Sequence, residues 1–205
     1  MKKFLFCSLL VFNVLCAQSV EPLARNVVAE LDAVYNIDKN IILAYIKTES
    51  NFEAYPLAIK TNTPQFAKIV FKSYGFRTKV NKNYVSVFPD SPEQAELAYD
   101  LLAYNKTKLG VEDYDFGIMQ INTRNAKRWG VDERALYLDV AENMKAGAFV
   151  MRSCFDLLKT KTGKHNIIEC YNRGTSINHL NASPREYLKR FMANYKKIKM
   201  ENDDD

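Results

Sequence analysis

The sequence predicts a mainly α domain with a small β ribbon inserted into it. Three observations carry that reading. Helical apolar stripes with recognisable caps recur from residue 21 to residue 195. Stretches rich in β-branched and aromatic residues are confined to Phe66–Phe88. With 7 Gly and 6 Pro among 205 residues, little of the chain is left for linkers. A hydrophobic share of 47% and a charged share of 26% are those of an ordinary globular chain, which excludes wholesale disorder and a disulfide-dense miniprotein.

The chain opens as a targeting segment. Residues 1–17, MKKFLFCSLLVFNVLCA, place Lys2 and Lys3 before a short apolar run from Phe4 to Leu15 and end on a small residue, Ala17. This is the pattern of a secretory signal, and the run is too short to span a bilayer. Cleavage after Ala17 is expected, so the product is periplasmic or exported, with no stable membrane insertion. Cys16 as a lipid anchor is disfavoured by Leu15 before it. The domain is then expected over 18–200, with a frayed acidic tail at 201–205.

The elements follow in order. Glu21 to Tyr35 shows a helical stripe of Leu23, Val27, Val28, Leu31 and Val34. Asp38 caps a second helix running to about Ser50. From Phe66 to Phe88 the segments IVF and YVSVF, separated by GFRTKVNKN, read as the two arms of a ribbon. Ser91-Pro92-Glu93-Gln94 combines a cap, a proline at the first helical position and Gln at the third. Its helix carries Leu97, Leu101, Leu102 and Leu109 and should end at Gly110. Asp139, with Glu142 three residues on, caps a long helix through Met144, Ala148, Met151, Phe155 and Leu158, stopped by Gly163. A short helix to about Tyr171 follows. Ser183-Pro184-Arg185-Glu186 opens the last one, with Tyr187, Leu188, Phe191 and Tyr195 inward.

Two of the four cysteines, Cys7 and Cys16, leave with the signal. Cys154 and Cys170 flank the break around Gly163, in a compartment where disulfides persist. If the two helices fold back on each other there, the thiols meet, and a disulfide is expected over two buried free thiols.

One carboxylate stands in an odd place. Ile42, Tyr45 and Ile46 form one face of the second helix, and the next position of that face is Glu49. Desolvation and the negative end of the helix dipole both disfavour its ionisation there. A carboxyl group kept protonated near neutrality can donate a proton to a leaving group. A solvated Glu at a frayed helix end is the plainer alternative.

Glu49-Ser50-Asn51-Phe52, then GIMQIN at 117–122, then CYNRG at 170–174 together resemble the motifs of the soluble lytic transglycosylase (SLT) family. The resemblance runs from about Val20 to Tyr195. It implies a goose-lysozyme-like fold, peptidoglycan glycan strands as substrate, and Glu49 as the single catalytic acid and base. It also implies that the loop Gly117–Asn122 and Tyr171 line the cleft. The order PLAIKTN, ribbon, helix, YDFGIMQIN looks like a secreted subgroup found beside secretion systems or pili, which makes a cell-envelope machine of that kind a candidate partner. The long segment between the first two motifs, about 61–112, is then an insertion. Ala58 stands where many members carry Ser, and Cys170 where they carry Ala.

The resemblance casts Ser50, Gly117, Met119, Gln120, Asn122, Tyr171 and Asn172 as substrate-binding residues. Gly117 would let backbone approach a sugar, because it has no Cβ. Met119 would pack beneath a sugar face or in the wall, or simply in the core. Gln120 offers donors and an acceptor to N-acetyl and hydroxyl groups. Tyr171 would orient the Glu49 carboxyl through its hydroxyl. Asn122 and Asn172 would touch substrate or cap turns.

Other chemistries fail on inventory. His165 and His179 have no metal-ligand spacing, and there is no P-loop, GxSxG or CxxC. No metal, cofactor or nucleic acid is expected. The resemblance implies that Glu49 protonates the glycosidic oxygen and then accepts the proton of the N-acetylmuramic acid 6-hydroxyl, which closes a 1,6-anhydro ring. A lysozyme-type hydrolase needs a second carboxylate, for which Asp115 and Asp113 are the candidates. A catalytically silent peptidoglycan-binding assembly factor is the third reading.

Overall fold

The computed structural model describes residues 20–158, 164–174 and 186–203. The signal segment with Cys7 and Cys16, the stop at Gly163, His179, the cap Ser183-Pro184 and the last two tail residues lie outside the described residues. The architecture is mainly helical with one small antiparallel sheet, as the sequence predicts.

Helix α1 (Glu21–Tyr35) buries Ala24, Val28 and Leu31. Leu23 and Val34, expected inward, are exposed; the inward stripe is narrower and turned toward Ala24. Helix α2 (Lys39–Glu49) starts where Asp38 Oδ1 accepts from Asn40 N at 2.7 Å. Its run from Ile42 to Ile46 is buried, so this helix lies inside the molecule.

The sheet is larger than the expected ribbon. Its order is β2-β3-β1-β4-β5. β1 (Leu57–Thr61) is its central strand, paired antiparallel with both β3 (Tyr84–Phe88) and β4 (Val111–Phe116). β2 (Arg77–Asn81) forms one edge and the two-residue β5 (Ile121–Asn122) the other.

The first arm of the ribbon needs correcting. Ile69, Val70 and Phe71 sit in helix α3 (Pro64–Ser73), and the hairpin partner of β3 is Arg77–Asn81. Pro64 at the start of α3 is the helix signal, and Ala67 and Phe71, four apart, form the buried stripe. Tertiary burial at helical spacing outweighs the strand preference of β-branched residues.

Helix α4 (Pro92–Asn105) has the predicted cap: Ser91 Oγ accepts from Gln94 N at 3.2 Å, and Gln94 Oε1 accepts from Asp90 N at 3.0 Å. It ends before Gly110, and Leu97 is exposed. Two short helices, α5 (Thr123–Trp129) and α6 (Glu133–Leu138), lead to α7 (Val140–Leu158), where Asp139 Oδ1 accepts from Glu142 N. Phe155 is exposed rather than inward. α8 (Lys164–Arg173) packs on α7, and a disulfide joins Cys154 to Cys170 with their Cα atoms 5.9 Å apart. The last helix, α9 (Glu186–Asp203), packs along α2 and buries Tyr187, Phe191 and Ile198. The tail does not fray at Glu201: Asn202 Nδ2 donates to Asn40 Oδ1 at 2.6 Å, and its Oδ1 accepts from Arg25 at 2.8 Å.

One continuous core joins α1, α2, α7, α9 and the inner face of the sheet. Cys154, Leu158 and Cys170 form a separate small cluster between α7 and α8. Among the described residues no helix is long and apolar enough to cross a membrane.

Candidate active site

Glu49 ends α2, and the chain turns sharply after it. Asn51 and Phe52 both adopt left-handed backbone, with φ of 54° and 63°. For a buried Phe this conformation costs energy, and the surrounding packing must hold it. The turn leaves Glu49 partly exposed while α9, α8 and the sheet close around its carboxyl group. Burial pushes the Glu49 carboxyl up to about 7, with the charge of Asp115 adding to the rise. A hydrogen bond from Tyr187 and the guanidinium of Arg190 oppose it. Near neutral pH the group is therefore divided between its acid and its ionised form.

The hydroxyl that meets this carboxyl is that of Tyr187, in the first turn of α9, which donates to Glu49 Oε1. Tyr171, expected to orient the carboxyl, does not make this contact. The Tyr171 hydroxyl instead donates to Met119 O at 2.7 Å, and its ring lies 4.8 Å from that of Tyr45. Tyr171 thus ties α8 to the GIMQIN loop. It remains close enough to Glu49 for a charge there to push its phenol up, after the larger effect of burial. Tyr187 was legible only as an inward position; the available signal was that a buried Tyr hydroxyl needs a partner.

The loop from Gly117 to Asn122 is held from beneath by Asn143 of α7, which is fully buried. Its Oδ1 accepts from Met119 N at 2.9 Å, and its Nδ2 donates to Phe116 O at 3.2 Å and Leu136 O at 3.3 Å. Gly117 has φ +77°, and a Cβ there would fall on the Asn143 amide. The positive φ and the close approach of Asn143 both demand glycine at this position. In the sequence Asn143 shows only as a polar residue on the otherwise apolar inward stripe with Met144 and Ala148.

Other expected contacts change their role as well. Met119 is fully buried and packs against Gly147, so its side chain presents no surface to a ligand. Ser50 is buried and donates its hydroxyl to Ile46 O at 3.0 Å, closing the last turn of α2. Gln120 uses Nε2 on Pro56 O and Gly117 O, both at 3.0 Å, and is half-buried. Its Oε1 accepts no hydrogen bond among the described residues. Asn122 caps α5 by accepting from Arg124 N at 3.0 Å and donates to Asp115 Oδ1 at 2.8 Å. Asn172 is exposed on α8.

Asp115 lies on β4 opposite Ala58 and Asn122. Burial pushes its carboxyl up to about 6; the hydrogen bond from Asn122 works against this, and the neighbouring Asp113 adds to it. Two carboxyl groups, Glu49 and Asp115, are thus raised in one place. A partly buried acid in its protonating range, a phenol donating to it and the loop beside it form an arrangement suited to general acid–base chemistry on a polar substrate. Among the described residues no group of His, Cys, Asp and Glu could hold a metal ion.

A family model described as Transglycosylase SLT domain matches residues 26–194, a span that contains the whole of this arrangement. No curated protein and no solved structure matches the chain.

Proposed function

Because this chain belongs to the transglycosylase SLT domain family, which acts on peptidoglycan, we propose that it is a lytic transglycosylase with Glu49 as its single acid and base and a 1,6-anhydro sugar as its product. The observation that carries the reading is the Glu49 carboxyl: largely but not wholly buried, raised to about 7 by that burial, and fixed by Tyr187.

In its acid form Glu49 gives its proton to the oxygen linking N-acetylmuramic acid to N-acetylglucosamine, and the bond from that oxygen to the anomeric carbon breaks. Glu49, now ionised, takes the proton of the muramic acid 6-hydroxyl. That oxygen forms the new bond to the anomeric carbon, so the proton balance closes within the site and no water is consumed. A group titrating near neutrality serves both steps, because neither proton transfer is then strongly uphill. Tyr187 holds the carboxyl in place and stabilises its ionised form, which exists between the two steps.

One observation favours a second reading. Asp115 is close enough for its charge to act on Glu49, and a carboxylate pair is what hydrolysis uses. Against it, Asp115 has one oxygen engaged by Asn122 in the sheet.

Export after cleavage of 1–17, and service to an envelope-spanning secretion or pilus machine, complete the proposal. They are supported by the signal pattern and by the likeness of PLAIKTN…YDFGIMQIN to a secreted subgroup. Purified sacculi incubated with the protein test the activity. We expect release of soluble muropeptides by the parent chain, and a loss of ~10²–10⁴-fold in rate for a folded Glu49→Gln variant. Parent-like lysis by Glu49→Gln would remove Glu49 from the mechanism, and binding without lysis by the parent would leave the assembly-factor reading.

A further inference from the structure

The register of the sheet lines up five side chains on the face turned away from the core. Asn122 pairs with Asp115, Asp115 with Ala58, Ala58 with Ser86 and Ser86 with Lys79. Register partners share a face of a sheet, so these residues form one row across all five strands. Alternate residues of the same strands, among them Leu57, Ile59, Val85, Val87 and Phe116, are buried on the other face. Next to Asn122 at one end stands Asp115, whose charge Glu49 feels. The row ends three strand spacings from Asp115, ~14 Å, at exposed Lys79.

The shape of this face follows from the residue sizes. Ala58 and Ser86 are small and form its floor. On one side stand Lys60 and Tyr84, which pair with each other, and on the other Phe88 with Arg77 stacked 4.4 Å over its ring. A trough with an aromatic on each rim suits pyranose rings, whose apolar faces lie against aromatic side chains while their hydroxyls find polar ones.

The charges are distributed unevenly along it. Lys60 is paired with Glu112 at 2.7 Å, Arg77 with Glu53 at 2.7 Å and Arg124 with Asp113 at 3.1 Å. Lys79 has no ion-pair partner among the described residues. The row therefore carries a carboxyl group at the catalytic end and an uncompensated ammonium at the far end.

We propose that this trough seats the glycan strand beyond the scissile bond, and that Lys79 takes a carboxylate of a stem peptide carried by that strand. Peptide-bearing strands are then preferred over naked ones. The proposal rests on the function given above for its substrate class. It is supported by the trough's continuity with Glu49 and by the complementarity of Lys79 to an anionic peptide.

The test is binding to the full chain carrying Glu49→Gln, which removes turnover. Two probes are titrated: a naked N-acetylglucosamine pentamer, and a peptide-bearing glycan tetramer. Adding Lys79→Glu should weaken the peptide-bearing probe about three- to tenfold and leave the naked one unchanged. Raising the salt concentration should narrow the gap between the two probes. Filling the floor with Ala58→Trp or Ser86→Trp, both at outward strand positions, should weaken both probes. Equal affinity of the Lys79→Glu variant and its parent for the peptide-bearing probe would overturn the peptide contact. Full affinity for both probes in the folded floor variants would overturn the trough. A digest of sacculi by the wild-type chain, run in parallel, reads the proposed activity separately from this selectivity.

Discussion

Tyr187 and Glu49 stand 138 residues apart in the chain and meet through one hydrogen bond, donated by the phenol to Oε1 of the carboxyl group. The contact joins the end of α2 to the first turn of α9. It lowers the pKa of Glu49, while burial and Asp115 raise it. The acid is thus tuned by opposing neighbours on different elements, and each can be removed separately.

That opposition gives a pH prediction with defined signs. With the acid form as the proposed proton donor, the rate should fall as pH rises through about 7. Tyr187→Phe removes a bond that favours the ionised form and should move this limb to higher pH. Asp115→Asn removes a negative charge and should move it to lower pH. The pH profile of kcat in the three proteins checks this; limbs that coincide would contradict it.

Stability should follow the same group. The Glu49 pKa is raised on folding from an ordinary 4.5 to about 7. Its contribution is fully present below the ordinary value and is lost as pH rises through about 7. Glu49→Gln should remove this loss, so denaturant melts of the two proteins should converge at pH 4 and separate at pH 8 in favour of the variant.

Glu169 holds the partner helix in place. Its carboxylate is fully buried, accepts from Leu188 N at 3.1 Å and pairs with Arg173 at 2.5 Å. Leu188 follows Tyr187 in the first turn of α9, so Glu169 anchors the turn that presents the phenol. Glu169→Ala leaves a buried N–H and a guanidinium without this partner and should cost ~2–4 kcal/mol. The folded fraction should also show the limb shift of Tyr187→Phe, which lost stability alone would not produce.

The Cys154–Cys170 disulfide pins the same α8 to α7 next to Glu169 and Tyr171. Closing a short loop, it should contribute ~3 kcal/mol. Reduction should lower the melting temperature and slow the enzyme together, and a Cys154→Ala, Cys170→Ala variant should be insensitive to reductant. Equal melting with and without reductant would contradict this.

Much of the frame was legible in the sequence because its signals are local. The caps at Asp38, Ser91 and Asp139 and the stripes behind them mark α2, α4 and α7 where they occur. The inward turn of Glu49 follows from its place three residues after Ile46. What was not legible depends on contacts distant in sequence. β1 and β4 show little of themselves locally, because a strand of five or six residues is recognised by its partners. The roles of Tyr187 and Asn143 rest on which backbone or carboxyl group lies opposite them. Among the motif residues expected to touch a sugar, Gly117 and Met119 of the loop and Ser50 at the end of α2 chiefly build the platform. Motif residues mark the place of a site without separating the groups that touch a ligand from those that shape its walls.

The central claim is that one carboxyl group serves as both acid and base while the substrate supplies its own nucleophile. Digestion of sacculi in ¹⁸O-labelled water, followed by mass spectrometry of the muropeptides, tests it most directly. The account predicts that every new muramic acid end is a 1,6-anhydro ring lacking one water and carrying no label. Reducing ends that incorporate ¹⁸O from the solvent would contradict it and assign the chemistry to a hydrolase using Glu49 and Asp115 together.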